Sequence, residues 1–155
     1  MFTDDKSRMR WGVPIKTKDE TAEGLQALVQ EVADPEGPCI GKVHCDGAEF
    51  KGTFQALCES LGIIIETNAP YIPQGNAITE RGFGTIIGTA RRLLLGAPHL
   101  PDRLWAEAFK AAICIKNRTP TDVLDGKASL EVWKDKKNSE FCCTCMSWVP
   151  WRSST

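Results

Sequence analysis

Helical and extended spacing alternate along most of this chain, and that alternation limits its fold more than any other feature. Ala22, Leu25, Leu28, Val29 and Val32 fall on one helix face; Thr17 and Glu20 precede them at capping-box spacing, and Asp34-Pro35-Glu36-Gly37-Pro38 stops the run. A short buried strand with Ile40, Val43 and Cys45 follows, and Gly47 ends it directly after Asp46. Phe50, Phe54, Leu57, Cys58 and Leu61 return to helical spacing, Gly62 is placed to cap that helix, and the β-branched run Ile63-Ile64-Ile65 is a further strand. Residues 68–75 hold two prolines and a glycine and must be a loop. Helical spacing then runs from Asn76 to Leu95, and again from Asp102 to about Asn117 with Leu104, Trp105, Ala108, Ala112 and Ile115 on one face. Ahead of all this, Arg8 to Ile15 reads as a strand that ends near Pro14.

Composition narrows the class. The 155 residues are 42% apolar and 25% charged, which suits one globular domain with a real core. No apolar run reaches the length of about 18 residues that a membrane span needs, and Met1 to Arg10 is polar and charged, so an intracellular protein without a secretory leader is expected. Cys39, Cys45, Cys58 and Cys114 sit inside regular apolar segments and read as core residues. Cys142, Cys143 and Cys145 offer a single Cys-x-x-Cys spacing, too little for a zinc site. Residues 1–75 carry 7 Lys/Arg against 12 Asp/Glu (−5) and residues 76–155 carry 12 against 8 (+4), an acidic half beside a basic one.

The strand and helix order is α/β, with Asp46 at the C-terminal end of a strand and Glu80 in the first turn of a helix. Two carboxylates held close can share divalent cations that polarise a phosphodiester and activate the attacking oxygen. That arrangement belongs to ribonuclease-H-like nucleases and transferases, a mixed sheet flanked by helices. Arg91, Arg92, Lys110, Lys116 and Arg118 on the later helices are candidates to meet a phosphate backbone.

Several motifs in sequence order resemble the integrase core of copia-type LTR retrotransposons over residues 1–137. Asp4-Asp5-Lys6-Ser7-Arg8 resembles the family's Asp-Asp-Phe-Ser-Arg, and Asp46-Gly47-Ala48-Glu49-Phe50 resembles Asp-Asn-Gly-x-Glu-Phe with one residue lost. Pro70 to Arg81 resembles Pro-Tyr-Thr-Pro-Gln-Gln-Asn-Gly-x-x-Glu-Arg in register. Leu100-Pro101 with Leu104-Trp105-Ala106-Glu107-Ala108, then Asn117-Arg118-Thr119-Pro120, then Glu131-x-Trp133, complete the series.

The resemblance implies a polynucleotidyl transferase that trims and joins cDNA ends into target DNA, with Mg2+ or Mn2+ held by an Asp, Asp, Glu triad, self-association in the full-length protein, and a nuclear site of action. Carried over, Asp46 is the second acid and Glu80 the third. Read from charge alone, Arg81, Arg91 and Arg92 are the cations expected near phosphate, with Lys110, Lys116 and Arg118 as further nucleic-acid-binding candidates. The family's first acid belongs to an earlier strand, so the chain is expected to lack the first catalytic strand and to be inactive by itself; a non-catalytic nucleic-acid-binding or interaction relic is the alternative. Asp4 and Asp5 are expected to be polar turn residues rather than substitutes for the first acid. Ala77 replaces a loop glycine, Phe83-Gly84 replaces an Asn-Arg pair, and Gly82, Gly84 and Gly88 each weaken their helix by roughly 1 kcal/mol relative to Ala. Residues 138–155 depart from the family and read as an unassigned, frame-shifted tail.

Overall fold

The computed structural model describes residues 1–15, 17, 20–32, 40–45, 52–67, 77–135 and 144–146. Strands β1 (Phe2–Asp4) and β2 (Arg10–Trp11) form an antiparallel pair, Phe2 opposite Trp11 and Thr3 opposite Arg10. The turn between them is built by Asp4, whose carboxylate accepts from the Ser7 N–H at 2.7 Å and the Ser7 hydroxyl at 2.6 Å. Asp5 pairs with Arg8 at 3.1 Å, and Arg8 itself takes a positive φ of 58°. Asp5 is thus a turn residue, as its sequence context suggests, whereas Asp4 is the buried last residue of β1 and anchors the turn from the strand end.

Helix α1 (Thr21–Val32) leads to β3 (Lys42–Cys45), and α2 (Thr53–Ser60) leads to β4 (Ile64–Thr67), which runs parallel to β3. Ahead of α1, Thr17 and Glu20, the pair at capping-box spacing, are in contact: the Thr17 hydroxyl donates to the Glu20 carboxylate at 3.2 Å. Helix α2 ends at Leu61, and Gly62 takes the left-handed φ of 69° that lets the Ile63 N–H return to the Cys58 carbonyl at 2.8 Å. Helices α3 (Ala77–Leu95) and α4 (Trp105–Arg118) pack on one another; after a two-stranded ribbon of β5 (Pro120–Thr121) and β6 (Lys127–Ala128) comes α5 (Ser129–Asp135).

Strand β7 (Thr144–Met146) returns to the sheet and lies between β1 and β3, antiparallel to the first and parallel to the second. The sheet order is β2-β1-β7-β3-β4, so a stretch that reads as an unassigned tail supplies the central strand.

Two apolar layers flank the sheet. Phe2, Trp11, Leu25, Leu28, Val43, Cys45, Phe54 and Cys58 form the layer under α1 and α2, where each fully buried large side chain contributes about 1.5–3 kcal/mol. Ile86, Ala90, Ala108, Phe109, Ala112 and Ile113 join α3 to α4. Helix α4 is turned from its expected face: Phe109 and Ile113 are buried, whereas Ile115 and Cys114 are exposed. Gly12 makes room for this packing: a Cβ there would stand 2.3 Å from Ile113 Cδ1 and 2.5 Å from Phe109 Cε1. Cys114 is therefore not a core residue, while Cys45 and Cys58 are; Cys39 lies outside the described residues.

Candidate functional site

Glu80 stands in the first turn of α3, exposed, with no hydrogen bond or ion pair among the described residues. Its neighbours Thr79 and Gly82 are buried, which fixes the face of α3 that meets the sheet and leaves Glu80 on the other side. Asp46 lies outside the described residues, as does the loop of residues 68–76; β3 ends at Cys45, the residue before Asp46.

Alternation along β3 places Val43 and Cys45 in the layer under α1 and α2, and therefore Lys42 and His44 on the opposite face. His44 shares a cross-strand row with Thr3 through position 145 of β7, and Thr3 is paired with Arg10, whose guanidinium lies against Gly82 of α3. Lys42 and His44 are thus on the α3 side of the sheet. There the Glu66 carboxylate from β4 gathers both: Lys42 Nζ is 2.6 Å from Oε1 and His44 Nδ1 is 3.8 Å from Oε2. The hydrogen bond from Lys42 holds the Glu66 carboxyl below the usual carboxylate range. This polar group, on the strand that runs into Asp46, was not legible in the sequence, because it depends on the β3–β4 register.

The donors described do not make a metal centre by themselves: no group of three His, Cys, Asp or Glu among the described residues is placed to hold a cation. Asp4 cannot complete one. It shares the Phe2 face of β1, opposite the α3 side, and Ser7 occupies its carboxylate.

The basic candidates divide between two surfaces. Arg81, Arg91 and Arg92 are exposed on α3, and Arg92 Nε donates to the Gly88 carbonyl at 3.0 Å. Lys110 and Arg118 on α4 line a separate cavity of 510 Å³ beside β2, together with Glu31 and Leu130. Arg118 is bound back onto its own helix, its Nη1 donating to the Cys114 carbonyl at 3.2 Å and lying 2.8 Å from Sγ. Lys116 is half-buried. The six cations do not form one patch.

Other motif residues hold the frame instead. Asn117 binds the β2 backbone, Glu131 accepts from the Ala128 N–H at 2.8 Å to cap α5, and Trp133 meets Trp11 edge-on with ring centroids 4.8 Å apart.

No family model matches the chain. The "Retrovirus-related Pol polyprotein from transposon TNT 1-94" of Nicotiana tabacum is 33% identical over 96% of the chain, and that from transposon RE1 of Arabidopsis thaliana is 27% identical over the same share. The chain spans only about a tenth of these curated relatives, 12% and 10%. Among solved structures, the simian T-cell lymphotropic virus intasome in complex with PP2A regulatory subunit B56 gamma superposes with a TM-score of 0.64 at 19% identity, covering 91% of this chain and 47% of that one. The catalytic core domain of BIV integrase gives 0.59 at 21% identity, covering 80% and 75%. The chain is homologous to one segment of the retrovirus-related Pol polyproteins of plant transposons and has the ribonuclease H-like fold of a retroviral integrase catalytic core.

Proposed function

We propose that this chain is a DNA-binding integrase core of the copia type, with Asp46 and Glu80 as its divalent-cation ligands and the exposed face of α3 as its contact with the DNA backbone. The observation that carries this reading is Glu80 itself: an exposed carboxylate without an ion pair among the described residues, on a helix whose exposed side also carries Arg81, Arg91 and Arg92. Its family position supports the same role. A Mg2+ or Mn2+ ion bound there would supply Lewis acidity for in-line displacement at a phosphodiester. Asp46 and Glu80 would hold the ion as hard oxygen donors, and the arginines of α3 would draw in the phosphates.

Binding without strand transfer is a second reading, favoured by the Asp4 geometry, since the third carboxylate that the resemblance calls for is not among the described residues. DNA ends, target DNA and self-association in a longer protein belong to the same proposal, as does nuclear action; no helix of the described residues is long and apolar enough to cross a membrane.

Fluorescence anisotropy with a labelled DNA duplex at a series of salt concentrations tests the DNA-binding half. The double substitution Arg91→Gln/Arg92→Gln should weaken binding and reduce the slope of log K against log salt by about 2. An unchanged slope would remove α3 as the DNA-facing element. Mn2+-dependent joining of the same duplex, present or absent, separates the two readings.

A further inference from the structure

The DNA reading of α3 leaves two cations of α4 without a role, Lys110 and Arg118, and both line the cavity of about 510 Å³ beside β2. Its floor is apolar and buried, built from Trp11 and Ile113. Its rim is charged: Lys110, Arg118 and Glu31, the last from the final turn of α1, are all exposed there. A volume of this size is that of a small organic ligand, larger than an inorganic ion needs and too small for a duplex.

The rim charges are not spent on the fold. Lys110 and Glu31 have no hydrogen bond or ion pair among the described residues, with each other or with any third group. Arg118 is steadied by its own helix, Nη1 donating to the Cys114 carbonyl at 3.2 Å and lying 2.8 Å from Sγ, which leaves the rest of the guanidinium open. A fork held in this way loses less freedom when it pairs with a carboxylate. Lys110 and Arg118 are eight residues apart on one helix face, about 12 Å along the axis, a spacing that suits two anionic groups of one ligand. Glu31 adds the opposite sign, so the matching ligand also carries an ammonium, and a phosphate dianion would be repelled there. Trp11 is 7% exposed and meets Trp133 edge-on, so it offers no open ring face on which a nucleotide base would stack.

We propose that this cavity binds a short acidic peptide with a free amine. Its two carboxylates pair with Lys110 and Arg118, its ammonium pairs with Glu31, and an apolar side chain between them covers Ile113 and Leu130. The site is independent of the metal reading of Glu80.

Calorimetric titration of the full chain with the tripeptide Ala-Leu-Glu tests this, alongside the rate at which iodoacetamide, a neutral reagent, alkylates Cys114 inside the same cavity. Saturable binding should slow that alkylation in proportion to occupancy. The double substitution Lys110→Gln/Arg118→Gln changes two exposed side chains and should weaken the peptide by roughly tenfold. Acetylating the peptide's amine should weaken binding to the unsubstituted protein by about threefold, yet leave binding to Glu31→Gln unaltered. The site is overturned if millimolar peptide gives neither saturable heat nor protection of Cys114, or if the double variant binds as well as the unsubstituted protein. A mononucleotide that protects Cys114 as strongly as the tripeptide would assign the cavity to phosphate and overturn the peptide reading.

Discussion

Asn117 closes the outer edge of the sheet by holding both backbone groups of Arg10: its Nδ2 donates to the Arg10 carbonyl at 2.7 Å, and its Oδ1 accepts from the Arg10 N–H at 3.1 Å. One carboxamide on α4 thus does what a neighbouring strand would do for β2, an edge that would otherwise present unpaired groups. Asn117→Ala should cost about 2–3 kcal/mol in urea unfolding, since two partly buried backbone groups lose their partners. Hydrogen exchange at the Arg10 amide should accelerate while exchange in α3 stays slow. Unchanged exchange at Arg10 would show that the carboxamide is dispensable.

Two glycines give opposite predictions. Gly12→Ala would drive a methyl into Ile113 and Phe109, at 2.3 and 2.5 Å, and should destabilise by about 1–3 kcal/mol through overpacking. Gly84 meets nothing within 4 Å on an exposed helix face, so Gly84→Ala should stabilise by about 0.5–1 kcal/mol. Denaturant midpoints for the pair check both signs.

Cysteine chemistry follows burial. Cys114 is exposed, and Cys45 and Cys58 are fully buried, so brief alkylation of the native protein followed by peptide mapping should mark Cys114 and spare the other two.

Burial, with smaller contributions from Cys45 and Glu59, pushes the Cys58 thiol up from an ordinary 9.0 to about 11. The folded state therefore favours the neutral thiol. Its contribution to stability is complete below pH 9 and is lost as pH rises from 9 towards 11. Cys58→Ala should flatten that alkaline decline in Tm, although it lowers stability at neutral pH by opening a cavity.

The sequence was most legible where a periodic face meets the core, as in Ala22, Leu25 and Leu28, or where a turn residue has a local partner, as in Asp4 with Ser7. It was least legible where a distant residue decides. Phe109 and Ile113 are buried, and Cys114 exposed, through contacts with α3 and with Gly12, about a hundred residues away, which helical spacing alone cannot register. Strand β7 carries no periodic signal in three residues, and its place between β1 and β3 comes from pairing on both sides. Of the candidate site, Glu80 was placed by motif and found in the first turn of α3, whereas the Lys42, His44 and Glu66 cluster needed the register of two strands. Asn117 and Trp133, which entered the sequence reading only as motif residues, serve the packing of β2.

The central claim is that Glu80 helps to hold a divalent cation. Because the side chain is exposed and free of ion pairs among the described residues, Glu80→Gln should leave the Tm within about 1 °C of the original, as surface substitutions usually do. Titration of Mn2+ into the full chain, followed by electron paramagnetic resonance of the free ion, is the direct measurement. The account predicts that Glu80→Gln weakens Mn2+ binding by roughly tenfold or more. Equal Mn2+ affinity in the two proteins would contradict it.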